Sequence, residues 1–342
     1  MEVLILIVGA ALLLAMASPA MAVDATHAVG RADLVGAFEE AVLDEGQYVG
    51  EQVFPVVPVS RKKAFFPAIT RESLLQHPDT LARGMDATYR RLIFQTEDRA
   101  YACEERGGEI LLDDGQVAEL ATDYGLEPDE VAGRLLYHQV RRQHEAAVAA
   151  QVFDPVANFT AGQGNYTDVT GSEPWTDPDA LIVPTILAAI EAIAGRTGAE
   201  PAAMVMNRTN FHRLMNNAQI RAGLAADRTK TVRELASAIA PLLGLEQIYV
   251  GQAVYNAAPL GGAFSGAKFW SNLYVNVFVR GDGLTRPTLG VTTLYSEDSA
   301  QNVVLEEYRD DTRRSQVMRA RHVVDEVVCD VAFGQLIKVA AA

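Results

Sequence analysis

The sequence predicts an α+β protein, and three observations carry that prediction. Apolar residues recur at helical spacing through much of the chain between Pro128 and Met215. From Ile248 onward the pattern is that of strands, punctuated by Gly261-Gly262 and Gly281-Asp282-Gly283. No βαβ alternation of the kind that builds a nucleotide-binding sheet runs through the chain. At 342 residues it exceeds the roughly 100–200 residues usual for one domain, so one elaborate domain or two lobes are expected.

The elements follow in order. Residues 1–22 are an apolar leader: Val3 to Ala17 is an unbroken apolar run, and Ala20-Met21-Ala22 has the small residues of a cleavage site. Only Met1 and Glu2 precede the run, without the Lys or Arg of an export signal, and the run is short of the ~20 residues a membrane span needs. Three readings stay open: a secretory signal, a retained hydrophobic arm, or a coding sequence that starts at Met21.

Past the leader the pattern is sparse. Leu34, Val35, Phe38 and Val42 fall at helical spacing over Ala32 to Leu43. Between Val53 and Val59, Pro55 and Pro58 alternate with β-branched residues, which confines a strand to an edge or an arm. Arg61-Lys62-Lys63-Ala64-Phe65-Phe66 follows, basic and then aromatic, with a polar loop through Gly84 and a returning strand over Ala87 to Tyr101. So much arm and hairpin before the first long helix implies that these residues lie on something else, and the natural partner is another copy.

The first long helix is expected from Pro128 to about Phe153. A proline is tolerated in its first turn, and Asp129 and Glu130 suit the positive end of its dipole. His138 and His144 lie six residues apart on it, about 240° around the axis, and so do not form a metal pair. A Gly-, Asn- and Thr-rich loop then leads through Trp175-Thr176-Asp177-Pro178-Asp179 into a helix bearing Ile182, Ile186, Ile190 and Ile193. Asp179 is its candidate cap, and Gly195 or Gly198 its stop. Ala203 to Met206 reads as a buried strand, and Asn207 as the cap of a helix that turns Phe211, Leu214 and Met215 inward. Later strands are expected at Ile248–Val250, Lys268–Trp270, Leu273–Arg280 and Thr288–Tyr295, then in pieces from Val303 to Val339.

Composition narrows the function. Asp and Glu outnumber Lys and Arg 44 to 29, a net charge of −15, which opposes an electrostatic grip on nucleic acid. Cys103 and Cys329, the only cysteines, have no second Cys or His at metal-ligand spacing, and two buried thiols are expected. The chain has no His-Glu-x-x-His, no Gly-rich phosphate loop ending in Lys-Ser or Lys-Thr, and no Gly-x-Ser-x-Gly. No catalytic, cofactor-binding or metal-ligating residue is therefore assigned. If the leader is a true signal, an exported binding protein is the alternative.

The order of these features resembles that of the major capsid proteins of tailed bacteriophages, with the Hong Kong 97-type fold. The likeness rests on Trp175-Thr176-Asp177-Pro178 before a helix ending Arg196-Thr197-Gly198, then Pro201, Met204-Val205-Met206, and a helix with Leu214. Ile248-Tyr249-Val250-Gly251 and Ala253-Val254-Tyr255-Asn256 follow. The resemblance covers most of residues 23–342 and implies a set of parts. These are an N-terminal arm (23–55), an extended β-hairpin loop (56–112), a peripheral domain with a long spine helix (113–179 and 286–342), and an axial domain (180–285).

What the resemblance implies about function is structural: a subunit that self-assembles as hexamers and pentamers into an icosahedral shell around double-stranded DNA. The virion would be its location, after assembly in the host cytoplasm. A compartment shell of the encapsulin kind, built on the same fold, is the near alternative. Expected partners are further copies, a separate scaffolding protein, a portal and a decoration protein, with no membrane and no sequence-specific contact to DNA. Candidate contacts between subunits are Arg61, Lys62, Lys63, Phe65 and Phe66 on the loop, and Arg313, Arg314, Arg319 and Arg321 among acidic neighbours near the C-terminus. Some family members cross-link a loop lysine to a peripheral asparagine without a cofactor, and Lys62 or Lys63 with Asn302 are the residues to try in those roles.

Overall fold

The computed structural model describes residues 29–31, 34–35, 38, 48–71, 75, 85, 88–89, 91, 96–124, 127–223, 231–259, 261–283, 286–296 and 302–341. The leader, and most of the helix expected at Ala32 to Leu43, lie outside them. In chain order the elements are β1 (Val29–Gly30), α1 (Gly50–Val53), β2 (Val56–Val59), β3 (Lys63–Ile69), β4 (Thr96–Ala102) and β5 (Glu104–Asp113). Next come α2 (Asp114–Tyr124), α3 (Pro128–Val152), β6 (Tyr166–Asp168), α4 (Ile182–Thr197), β7 (Ala203–Asn207), α5 (Arg208–Asn216), α6 (Ala218–Gly223), α7 (Val232–Ile239) and β8 (Gln247–Gly251). The chain closes with β9 (Val254–Asn256), β10 (Gly266–Lys268), β11 (Tyr274–Phe278), β12 (Gly290–Tyr295), β13 (Val304–Asp310), β14 (Ser315–Val328) and β15 (Gly334–Lys338).

Helix α3 has Pro128, Asp129 and Glu130 in its first turn, as the sequence requires. Its 25 residues span about 38 Å at ~1.5 Å each. Ala132, Leu136 and Val140 recur on the face it buries against β14 and β5, joined by Met318, Ala320 and Leu112. Strand β14 is the hub of the first sheet. It pairs with β5 over Ser315–Val324, with β13 over Ser315–Arg321 and with β12 over Val324–Val328. Strands β1 and β2 extend this sheet beside β13 and β12.

The second sheet runs β6-β15-β11-β7-β8. Both of its faces are covered, and for that reason every residue of β7 is buried. On one side α4 contributes Ile182, Ile186 and Ile193, all fully buried, at about 1.5–3 kcal/mol apiece. On the other, Val205, Phe278 and Leu336 meet Val148 and Val152 from the far end of α3. Helix α4 starts at Ile182 with Leu181 in the cap position and no side-chain cap, so Asp179 does not take that role. Gly198 ends the helix in the left-handed conformation, φ 67°. Asn207 does cap α5, accepting from the Thr209 N–H.

Two boundaries drawn from the sequence shift. Strand β15, assigned with the peripheral segment 286–342, hydrogen-bonds between β6 and β11, so the second sheet draws on residues from both sides of 180–285. The β-hairpin is also narrower than 56–112. Strand β2 is parallel to β12 and β5 is antiparallel to β14, so both ends of that segment belong to the first sheet, and β3 and β4 alone form a separate ladder. Pairing between residues so distant in sequence leaves no local signal.

Candidate assembly surface

The hairpin β3–β4 sorts its side chains by strand alternation. Ala64, Phe66 and Ala68 turn inward, while Lys63, Phe65 and Pro67 turn out. Phe66 is 3% exposed and packs with Tyr101, Cys103, Val291, Val323 and Val327, whereas Phe65 is 66% exposed. The two adjacent aromatics therefore have different surroundings: Phe66 packs into the chain's own core, and Phe65 faces out. Arg61, Lys62 and Lys63 are exposed beside Phe65. Among the described residues no carboxylate ion-pairs with any of the three, and Lys62 lies 5.3 Å from the centroid of the Tyr295 ring. The result is a cationic, partly aromatic edge on a strongly acidic protein.

The arginines near the C-terminus are disposed differently. Arg319 pairs with Glu109 at 2.7 Å and stands over the Tyr308 ring, and Arg321 pairs with Glu306 at 2.7 Å. These bridges link β14 to β5 and β13 across the sheet, within the chain. Arg313 and Arg314 sit in the β13–β14 turn. Asp310 orders that turn by accepting from the Thr312 and Arg313 N–H groups, and Arg314 has φ 50°. Arg313 lies 3.7 Å from Asp310 and remains largely exposed.

Where the end of the arm meets α3 is a buried polar joint that the sequence did not reveal. The Glu145 carboxylate accepts from the Val49 and Gly50 N–H groups and from Trp270 Nε1. Burial pushes its pKa above the ordinary carboxylate value despite those donors. Arg141 donates to Glu51, which also accepts from Asn302 Nδ2. Burial opposes the Glu51 carboxylate, but Arg141 and these hydrogen bonds outweigh it and hold its pKa low. His144 Nδ1 lies 3.1 Å from Glu326 Oε1, and Arg106 reaches the same carboxylate at 3.1 Å. His322 is buried nearby, and desolvation, aided by the His144 charge, lowers its pKa to about 4. His138 meets the Tyr48 hydroxyl at 3.2 Å, so the two α3 histidines have separate partners, as their spacing predicts. A residue pattern that scatters across Glu51, Glu145, Trp270 and Glu326 gives no motif to find.

Cys103 and Cys329 are free and buried, and burial pushes the Cys329 thiol up to about 12. Among the described residues no cluster of three or more His, Cys, Asp or Glu is placed to hold a metal, and no helix is long and apolar enough to cross a membrane.

No protein-family model matches the sequence. No curated protein matches it either. Solved structures do match the fold. A phage-related protein from Bordetella bronchiseptica superposes with TM-score 0.66 at 21% identity, over 92% of this chain and 98% of that one. The capsid of the cyanophage P-SCSP1u matches with TM-score 0.54 at 12% identity, over 86% of this chain and 89% of that one. A virus-like particle from Pyrococcus furiosus matches with TM-score 0.52 at 11% identity, over 89% and 98%. The same overall fold thus recurs in proteins of very different sequence. The chain has the α+β, Hong Kong 97-like fold found in phage capsids.

Proposed function

We propose that this chain is a major capsid protein: a structural subunit whose copies assemble as hexamers and pentamers into an icosahedral shell that encloses double-stranded DNA. The observation that carries this reading is the match of the fold, over most of its length, to a phage capsid and a virus-like particle that share little of its sequence. The cationic hairpin edge supports it, because Arg61, Lys62, Lys63 and Phe65 are exposed with no carboxylate from the described residues to meet them. In this reading the arm (23–55) and the hairpin reach neighbouring copies, Arg313 and Arg314 present a second cationic tip, and α3 holds the subunit rigid. The acidic balance suits a wall that contains DNA without gripping it. The resemblance further supports a separate scaffolding protein, a portal and a decoration protein as partners, and the virion as the location.

The test is expression of the chain with the genes beside it, followed by gel filtration and negative-stain microscopy. Closed particles far above the 37.0 kDa of one chain are expected, and a species that stays at that mass under all conditions sinks the reading. Uniform closed shells from the chain alone would remove the scaffolding protein from the account. A compartment shell is the second reading, favoured by the match to the Pyrococcus particle. Packaged nucleic acid points to the capsid, and packaged protein without nucleic acid points to the compartment.

A further inference from the structure

Strands β9 and β10 form a hairpin apart from both large sheets. From Gln247 to Ala267 the sequence has no Asp, Glu, Lys or Arg, in a chain of net charge −15. The strands and tip of this run are open to solvent and apolar: Phe264 is 75% exposed, Val254 51% and Tyr255 40%. The described residues of the tip are tied to one another. Asn256 Oδ1 accepts from the Ala258 and Ser265 N–H groups, Ala257 N–H donates to Ser265 O, and Gly262 N–H donates to Pro259 O. Tyr255 stacks on Phe269 with ring centroids 4.7 Å apart. Between this hairpin and α3 lies an open groove of about 560 Å³, lined by Gln139, Arg142, Gln143, Ala146, Tyr255 and Phe269.

We propose that this face is a contact between copies, in which Phe264 of each copy enters the groove between α3 and the β9–β10 hairpin of the other. The inference rests on the shell-subunit reading and adds a surface to it. Charge selects the occupant. Identical copies of an acidic chain repel, and an uncharged tip removes that repulsion where they meet. The groove's walls are neutral except for Arg142, whose guanidinium suits the face of an incoming aromatic ring. Tip and groove adjoin on one hairpin, so a two-fold axis satisfies both at once, each copy giving and receiving the same contact. A preordered tip avoids the entropy cost of fixing a loose one.

Two single variants, Phe264→Cys and Gln143→Cys, are mixed at high concentration and oxidised gently. The native thiols are buried, so background coupling is low. A disulfide-linked dimer containing one chain of each is expected, and none when Glu200→Cys replaces Gln143→Cys. In parallel, Phe264→Glu is expected to lower the yield of assembled particles at least tenfold while the melting of the single chain is unchanged. No cross-link together with normal assembly of Phe264→Glu overturns the inference and leaves the shell reading intact. A cross-link without shells keeps the contact and sinks the shell reading. If the thiol introduced by Phe264→Cys is protected only when a second gene product is present, the tip belongs to that protein and the inference falls.

Discussion

At the scale of single residues, function and stability are both decided by which way a side chain faces. His322 is held neutral by its burial, with a pKa of about 4 against an ordinary 6.5. Its contribution to stability is complete above pH 6.5, because folded and unfolded chains are then equally unprotonated there. Acidification charges the unfolded chain first, so that contribution is lost as pH falls from 6.5 toward 4, by about 3 kcal/mol in all. Urea titrations of the single chain across that range should show the loss, and His322→Gln should flatten it. Gly251 is a second such position. A β-carbon there would lie 2.1 Å from Trp270 Cδ1, so Gly251→Ala must displace the indole that donates to Glu145. A cost of about 1–3 kcal/mol is expected by thermal denaturation. The sequence offered Phe65 and Phe66 as equivalent contacts. The alternation Lys63-Ala64-Phe65-Phe66-Pro67-Ala68 already separates them, once the segment is read strictly as a strand.

At the scale of elements, local signals were legible and pairings were not. The proline and acids that open α3, the Asn207 cap and the apolar run of β7 are written in adjacent residues, and each element stands within a residue or two of its expected place. A capping box is equally local in the sequence: Thr231 Oγ1 accepts from Glu234 N–H while Glu234 returns a bond to Thr231 N–H, and α7 starts there. Thr231→Ala should cost about 1 kcal/mol, measured by chemical denaturation. Helix α2 gives little signal in the sequence because it is polar and, among its described side chains, mostly exposed, with little apolar periodicity. The buried joint around Glu145 was beyond reach, since its members come from α1, α3, β14 and the segment after β10 and meet only in the folded chain.

At the scale of the whole molecule, the shell reading proposed above makes the cationic hairpin edge and the acidic remainder the guide to how copies would meet. Reversing Arg61, Lys62 and Lys63 to Glu should change single-chain stability by no more than about 1.5 kcal/mol, because all three are exposed and away from caps or cavities and only Lys62 gives up a contact, with the Tyr295 ring. Particle formation should be lost, read by gel filtration. Assembly of the unaltered chain should weaken toward 1 M salt, where the screening length falls to about 3 Å. Particles that form equally well at both ionic strengths would remove charge from the account of that contact.

Strand β15 lies between β6 and β11, yet it is made after both of them. During synthesis, then, the second sheet waits open along one of its inner edges until Gly334–Lys338 leaves the ribosome, and Leu336 and Ile337 are absent from both cores it covers. Closing so distant a pairing is slow relative to forming local helices. If copies assemble as proposed above, a nascent chain would present no finished binding shape until this strand is made, which would space subunit birth from subunit joining.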